Sequence, residues 1–282
     1  MTLLTLQARA LLLPEEAVPR PATPAGPQGA ALSVPDLARD LAASGTRRLQ
    51  DATTTDDGGL ARLLAGIGAA QLLAAERLQA GTVAATPPVR SVPASTTATP
   101  CPSPKAAPAA SAPTEPATAP SPDAAAALSA VVQAEREAVY AYEAAMPRLA
   151  PGAAGPASAF LGSHRTLVRD AENRLLLHCR ATPIQQPGYA IDADFLQSPA
   201  GRLGRLEAGT LGAYGDLIAL SEGGIREWAV SSLRAAAARA VQWGADPGPL
   251  PGLAIDPAQL PELPGPSEPA GQPGPATQGP QR

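Results

Sequence analysis

Aromatic residues make up only 3% of this 282-residue chain, and Cys 2 and His 2 are its whole supply of thiol and imidazole ligands. The two cysteines, Cys101 and Cys179, lie far apart and lack CxxC or CxxH spacing. They define neither a zinc site nor a disulfide framework. Basic blocks are missing too. Net charge is −4, with a pI near 5.3. No Lys/Arg run interleaves with aromatics, so no nucleic-acid partner is expected. The N-terminus, MTLLTLQARALLLPEE, has no basic lead, sustained apolar stretch or small-residue cleavage site. It is a poor signal peptide and too short to cross a membrane. As written, the chain is expected to be cytoplasmic and to have no transmembrane segment; an upstream true start would make it exported or a lipoprotein. No Gly-rich phosphate loop follows a strand, because no convincing strand exists. No nucleophile elbow is present.

What the chain has in quantity is Pro 34 and Gly 26, clustered in particular stretches. That clustering divides the sequence. Residues 1–32 read as an irregular N-terminal segment. Residues 33–81 read as a short helical region. Ser33-Val34-Pro35-Asp36 puts a capping residue before a first-turn proline, opening a helix over 33–50. A turn at 53–59 and an imperfect stripe of Leu60, Leu63, Leu64, Ile67 and Leu78 follow. Two short helices rarely make a core alone, so they are expected to dock on the main domain or a partner. Residues 82–122, rich in Ala, Pro, Thr and Ser, read as a disordered linker carrying Cys101 as an unconstrained thiol. Residues 254–282 read as a disordered tail.

Between them, 123–253 shows four helical patterns. The first, over 123–147, has the stripe Leu128, Val131, Val132, Glu135, Ala138, Val139, Tyr142 and Met146. The second, over 156–181, aligns Phe160, Leu161, His164, Leu167, Val168, Ala171, Leu175 and His178. The third, over 199–221, aligns Leu203, Leu206, Glu207, Thr210, Tyr214, Leu217 and Ile218. The fourth, over 224–244, aligns Ile225, Trp228, Ala229, Leu233, Ala236, Ala240 and Trp243. Short connections at 147–156 and 221–224 favour antiparallel hairpins. The link at 182–198 is long enough to run the bundle's length: ~56 Å extended against ~38 Å for a 25-residue helix. The predicted fold is therefore all-α: two hairpins joined by one long crossover, the ferritin-like arrangement of a four-helix bundle.

Within the stripes, polar residues recur. Glu135 precedes Tyr142, and Glu207 precedes Tyr214, by seven residues each. That is two helical turns, so each pair shares a face to within ~20°. A glutamate inside an apolar stripe is either a ligand or a hydrogen-bonded core group. Arg165, Arg169 and Arg174, with Asp170 and Glu172, read as a mixed-charge solvated face. His178 suits the negative end of its helix. Trp228 and Trp243 read as packing residues.

The stretches AEREAVYAYEAA, GSHRTLVRDAE and REWAVSSLRAAAARAVQWGADPGPLPGL resemble, in order and spacing, the ferritin-like domain-of-unknown-function family of high-GC bacteria, over about 125–253. Members commonly carry a poorly related N-terminal helical region, often behind a lipoprotein signal. The resemblance implies the bundle fold more than an activity. Di-iron members of the wider superfamily take a Glu from each of two helices and Glu-x-x-His from the other two. Glu135 and Glu207 match the first kind. His164 matches in part, since Leu161 stands where its Glu would be. The fourth helix supplies neither acid nor histidine on its stripe. Two readings remain open. One is a non-catalytic binding or structural bundle, not an enzyme, with a degenerate site and no cofactor, in which Glu135 and Glu207 bond to Tyr142, Tyr214, Thr210 or His164. The other is a metal-binding oxidoreductase of reduced nuclearity, holding iron or manganese on Glu135, His164 and Glu207. Helical self-association or an envelope partner is the expected kind of contact.

Overall fold

The computed structural model of the chain describes residues 2–12, 33–80 and 123–263. The sequence readings of a linker at 82–122, of Cys101 within it, and of the tail beyond 263 lie outside the described residues.

The chain forms two compact units. One comes from its two ends, the other from Ser33–Ala254. In the first unit, the N-terminal stretch expected to be irregular contains helix α1, Leu3–Leu11. Thr2 caps it, its hydroxyl accepting from the Thr5 N–H. Arg9, on α1, donates from Nε to the Pro261 carbonyl at 2.8 Å and from Nη2 to the Leu260 carbonyl at 2.6 Å.

Every regular element described is a helix. In the second unit, α2 (Val34–Thr54) starts where the Ser33–Asp36 signal places it, with Ser33 Oγ accepting the Asp36 N–H. It runs four residues past the expected end, so the predicted turn shrinks to Thr55–Asp57 before α3 (Gly58–Ala80). Gly45 and Gly68 let these two helices meet. A Cβ on Gly68 would lie 2.8 Å from the Gly45 carbonyl oxygen and 2.7 Å from Leu49 Cδ2. By length and composition Gly58–Gln79 could cross a membrane, but 61% of its 18-residue apolar window is buried inside the unit, as expected of a core helix. Both helices pack against the remaining bundle, α3 on α7 and α8, and α2 on α8.

That bundle is α4 (Ala124–Ala145), α5 (Pro151–Leu177), α7 (Pro199–Leu220) and α8 (Gly223–Gln242), with the short α6 (Ala193–Gln197) in the crossover. Asp123 caps α4, and Pro199 opens α7 in the first-turn position that tolerates proline. Helix α5 begins five residues earlier than its apolar stripe suggests. Pro151 occupies its first turn, and Pro156 is carried inside the helix. It ends with Cys179 at φ 54, where the Arg180 N–H reaches back to Leu175 and the Cys179 N–H to Leu176. This is a Schellman closure with a non-glycine residue in the left-handed position. Cys179 is disulfide-bonded, which corrects the sequence reading that the cysteines define no disulfide.

Cross-helix ion pairs fix the directions. Arg136–Glu172 (2.7 Å) and Glu143–Arg165 (2.7 Å) make α4 and α5 antiparallel. Glu135 bonds Tyr214 while Tyr142 bonds Glu207, so α4 and α7 are antiparallel as well. Helices α5 and α7 are then parallel, and the connection between them must travel the length of the bundle. It is pinned to α4 on the way, by Arg136 donating to the Pro183 carbonyl (2.7 Å) and by Tyr189 against Tyr140 (5.6 Å between rings). The α7–α8 turn is clamped by Arg226, whose guanidinium donates to the carbonyls of Ile218, Ser221 and Thr55.

Arg174 departs from the solvated face predicted for it. It is 4% exposed and lies over the Trp228 ring, 4.5 Å from its centroid. A guanidinium over an indole exchanges water for the ring's negative face, which lets a cation enter the core.

Candidate functional site: a charged layer across the bundle

The bundle core is two apolar clusters, not one. The larger includes Leu128, Val131, Val132, Leu167, Leu175, Leu211, Leu217 and Trp228. The smaller includes Ala141, Ala145, Phe160, Phe195 and Leu203. On each of the four bundle helices, one charged side chain stands where the chain passes from one cluster to the other: Glu135 on α4, His164 on α5, Glu207 on α7 and Arg239 on α8. All four are 0% exposed.

These four side chains meet. His164 Nδ1 lies 2.7 Å from Glu135 Oε2, and its Nε2 lies 2.9 Å from Glu207 Oε1. Arg239 donates from Nε to Glu207 Oε2 at 2.8 Å. The two tyrosines of the Glu-x6-Tyr repeat complete the layer crosswise. Tyr142 donates to Glu207 Oε1 at 2.6 Å, and Tyr214 donates to Glu135 Oε1 at 2.8 Å. Each phenol thus bonds the glutamate of the other helix. Trp243 Nε1 donates to the Tyr142 oxygen at 2.7 Å. The Tyr142 ring lies against the imidazole, 4.9 Å between centroids. Thr210 does not join the layer; its hydroxyl turns back to the Glu207 carbonyl on its own helix.

Ionised carboxylates only accept hydrogen bonds, so an imidazole held between two of them carries a proton on each nitrogen. The electrostatics agree. Burial alone drives the His164 pKa down, but Glu207 and then Glu135 outweigh it and hold the imidazolium up to about 9. Burial drives Glu207 up, but Arg239 and then His164 outweigh that and bring it to about 2. Arg239 ends above its ordinary range because Glu207 and Glu135 overcome its desolvation. Tyr142 and Tyr214 stay protonated, pushed upward by burial and then by the carboxylate each one bonds. Counting one charge per ionised group, two carboxylates face one imidazolium and one guanidinium, and the sum is zero.

Sequence reasoning picked out Glu135, His164, Glu207, Tyr142 and Tyr214, and the structure brings all five together. It missed Arg239. The signal was present: Arg239 lies four residues before Trp243 and eleven after Trp228, on the same face of the fourth helix. A search for acids and histidines passes over a cation. His178 stays apart at the C-cap of α5, exposed.

The donor set fits a metal ion poorly. Both imidazole nitrogens point at carboxylate oxygens, so neither presents a lone pair to a metal. The two carboxylates lie on opposite sides of the ring. The third direction onto Glu207 is taken by a guanidinium. Among the described residues, no group of three or more His, Cys, Asp or Glu side chains has the arrangement of a metal-binding group.

No curated protein and no solved structure matches the chain. Residues 127–255 match the family described as Domain of unknown function (DUF4439), a stretch that takes in α4 from Ala127 onward, all of α5, α7 and α8, and every member of the charged layer.

Proposed function

We propose that this chain is a non-catalytic helical module, a binding or structural bundle of the ferritin-like kind, in which an internal ion-pair layer stands where a metal centre would otherwise lie. One observation carries the reading: His164 spends both ring nitrogens on Glu135 and Glu207, and Arg239 supplies the second positive charge. Two carboxylates in an apolar core require about two compensating positive charges, which a divalent ion can provide. Here an imidazolium and a guanidinium provide them. Two hairpins joined by a crossover that must run the bundle's length support the ferritin-like part of the reading.

The rival reading is an iron or manganese oxidoreductase on Glu135, His164 and Glu207, favoured by the convergence of those three side chains. Elemental analysis of protein purified without a histidine tag separates the two. Metal-free protein whose thermal unfolding is unchanged by added iron or manganese is expected. Stoichiometric metal that disappears in a Glu135→Ala/Glu207→Ala variant would overturn the proposal. In this reading the bundle's contact is a second copy of itself or an envelope partner, with no nucleic acid and no bound cofactor.

A further inference from the structure

Two nitrogens in the charged layer have no hydrogen-bond partner among the described residues: Nη1 and Nη2 of Arg239, both fully buried. Its Nε is satisfied by Glu207. A guanidinium has five N–H donors, so up to four donors here face no described acceptor. Native cores rarely leave buried donors in that state, and charged ones cost most. Something that accepts hydrogen bonds therefore belongs beside Arg239.

Charge narrows its identity. Glu135, Glu207, His164 and Arg239 already sum to zero. An added anion would leave one uncompensated negative charge in a core with no exposed member, which burial strongly disfavours. A metal cation would face the guanidinium directly. The acceptor must be neutral and small. Glu135 sits within electrostatic range of Arg239, and among the described residues bonds Tyr214 and His164 alone. Its oxygens retain acceptor capacity. A molecule that accepts from Arg239 and donates to Glu135 would satisfy both.

We propose that the layer holds at least one buried water, accepting from Arg239 Nη1 or Nη2 and donating to Glu135. The water closes a ring of five groups: Glu207, Arg239, water, Glu135 and His164. It rests on the metal-free reading of the layer given above. Buried waters of this kind make about three hydrogen bonds to otherwise orphaned groups. A cavity of about 330 Å3 is lined by Ala134, next to Glu135 on α4, and by Thr210, three residues beyond Glu207 on α7; no member of the layer lines it.

The test is a crystal structure of the full chain at a resolution that shows ordered water, with anomalous data. The expected result is a water oxygen ~2.7–3.2 Å from an Arg239 Nη atom and from a Glu135 oxygen. In solution, a cross-peak from the solvent line to the Arg239 Nη protons is expected, and its absence from the wild-type chain would count against the water. Direct contact of Nη1 and Nη2 with protein acceptors, with no density between, would overturn the water and leave the metal-free reading standing. An anomalous peak ~2.0–2.2 Å from the carboxylate oxygens would overturn both.

Discussion

Replacing Glu207 by Gln keeps the shape of the side chain and removes one charge from a four-charge layer. The wild-type carboxylate accepts from His164, Tyr142 and Arg239. The amide leaves two cations facing Glu135 alone. His164, held up to about 9 by Glu207 and then Glu135, loses the larger of its two charge partners. Leaving a buried charge without its partner generally costs about 3–5 kcal/mol, so Glu207→Gln should lose roughly that much at pH 6 in urea unfolding followed by circular dichroism. The pH dependence follows from the sign of each shift. His164 is raised in the folded state, so its contribution is complete below pH 6.5 and fades as the pH rises through about 9. Glu207 is lowered, so its contribution is complete above pH 4.5 and fades as the pH falls toward about 2. These are two views of one coupled set and do not add. The layer stabilises most between about pH 4.5 and 6.5. The difference between wild type and Glu207→Gln should be largest there and shrink by pH 10. A loss under ~1 kcal/mol at pH 6, or a difference that does not change with pH, would refute the argument that the layer is a buried, mutually compensated set.

Two further substitutions probe the layer's supports and the fold around it. Tyr142→Phe and Tyr214→Phe each delete one phenol that donates to a carboxylate, a kind of bond worth about 1.5–3 kcal/mol. Each should lower thermal stability, and the double variant should lose more than either single one; a double variant as stable as wild type would contradict the crosswise bonding. Gly68→Ala places a methyl group against the Gly45 carbonyl and Leu49. It should cost about 1–3 kcal/mol as overpacking, read as a lower midpoint in thermal unfolding, whereas an unchanged midpoint would mean that α2 and α3 can separate freely at this crossing.

The periodicity of large apolar residues located all four bundle helices, because burial of one face imposes a 3.6-residue repeat that the sequence must carry. Ends were less legible. Helix α5 extends back through Gly152 and Gly155, and α2 forward through Thr53 and Thr54, residues with no apolar stripe to announce them. Glu135, His164 and Glu207 were visible as polar interruptions of apolar faces. Their pairing was not. Whether Tyr142 bonds its own helix's glutamate or the opposite one depends on the antiparallel register of α4 and α7, which no single stripe encodes. Arg174 and Arg239 were misread or passed over for a related reason. A long cationic side chain reads as solvent-facing until its partner, here the Trp228 ring or Glu207, is known from another helix.

The crosswise bonding of the two Glu-x6-Tyr pairs makes each hairpin incomplete. With α4–α5 alone, Glu135 lacks its phenol and Tyr142 its acceptor. With α7–α8 alone, Glu207 and Tyr214 are stranded in the same way. A slip of α4 against α7 by one turn would break both bonds at once. The polar layer therefore acts as a key between halves: apolar packing draws the hairpins together in many registers, and only one of them lets every buried charge find its mate. Such a core exchanges some strength for uniqueness across the seam between the two hairpins, which the long crossover would otherwise leave free to slide.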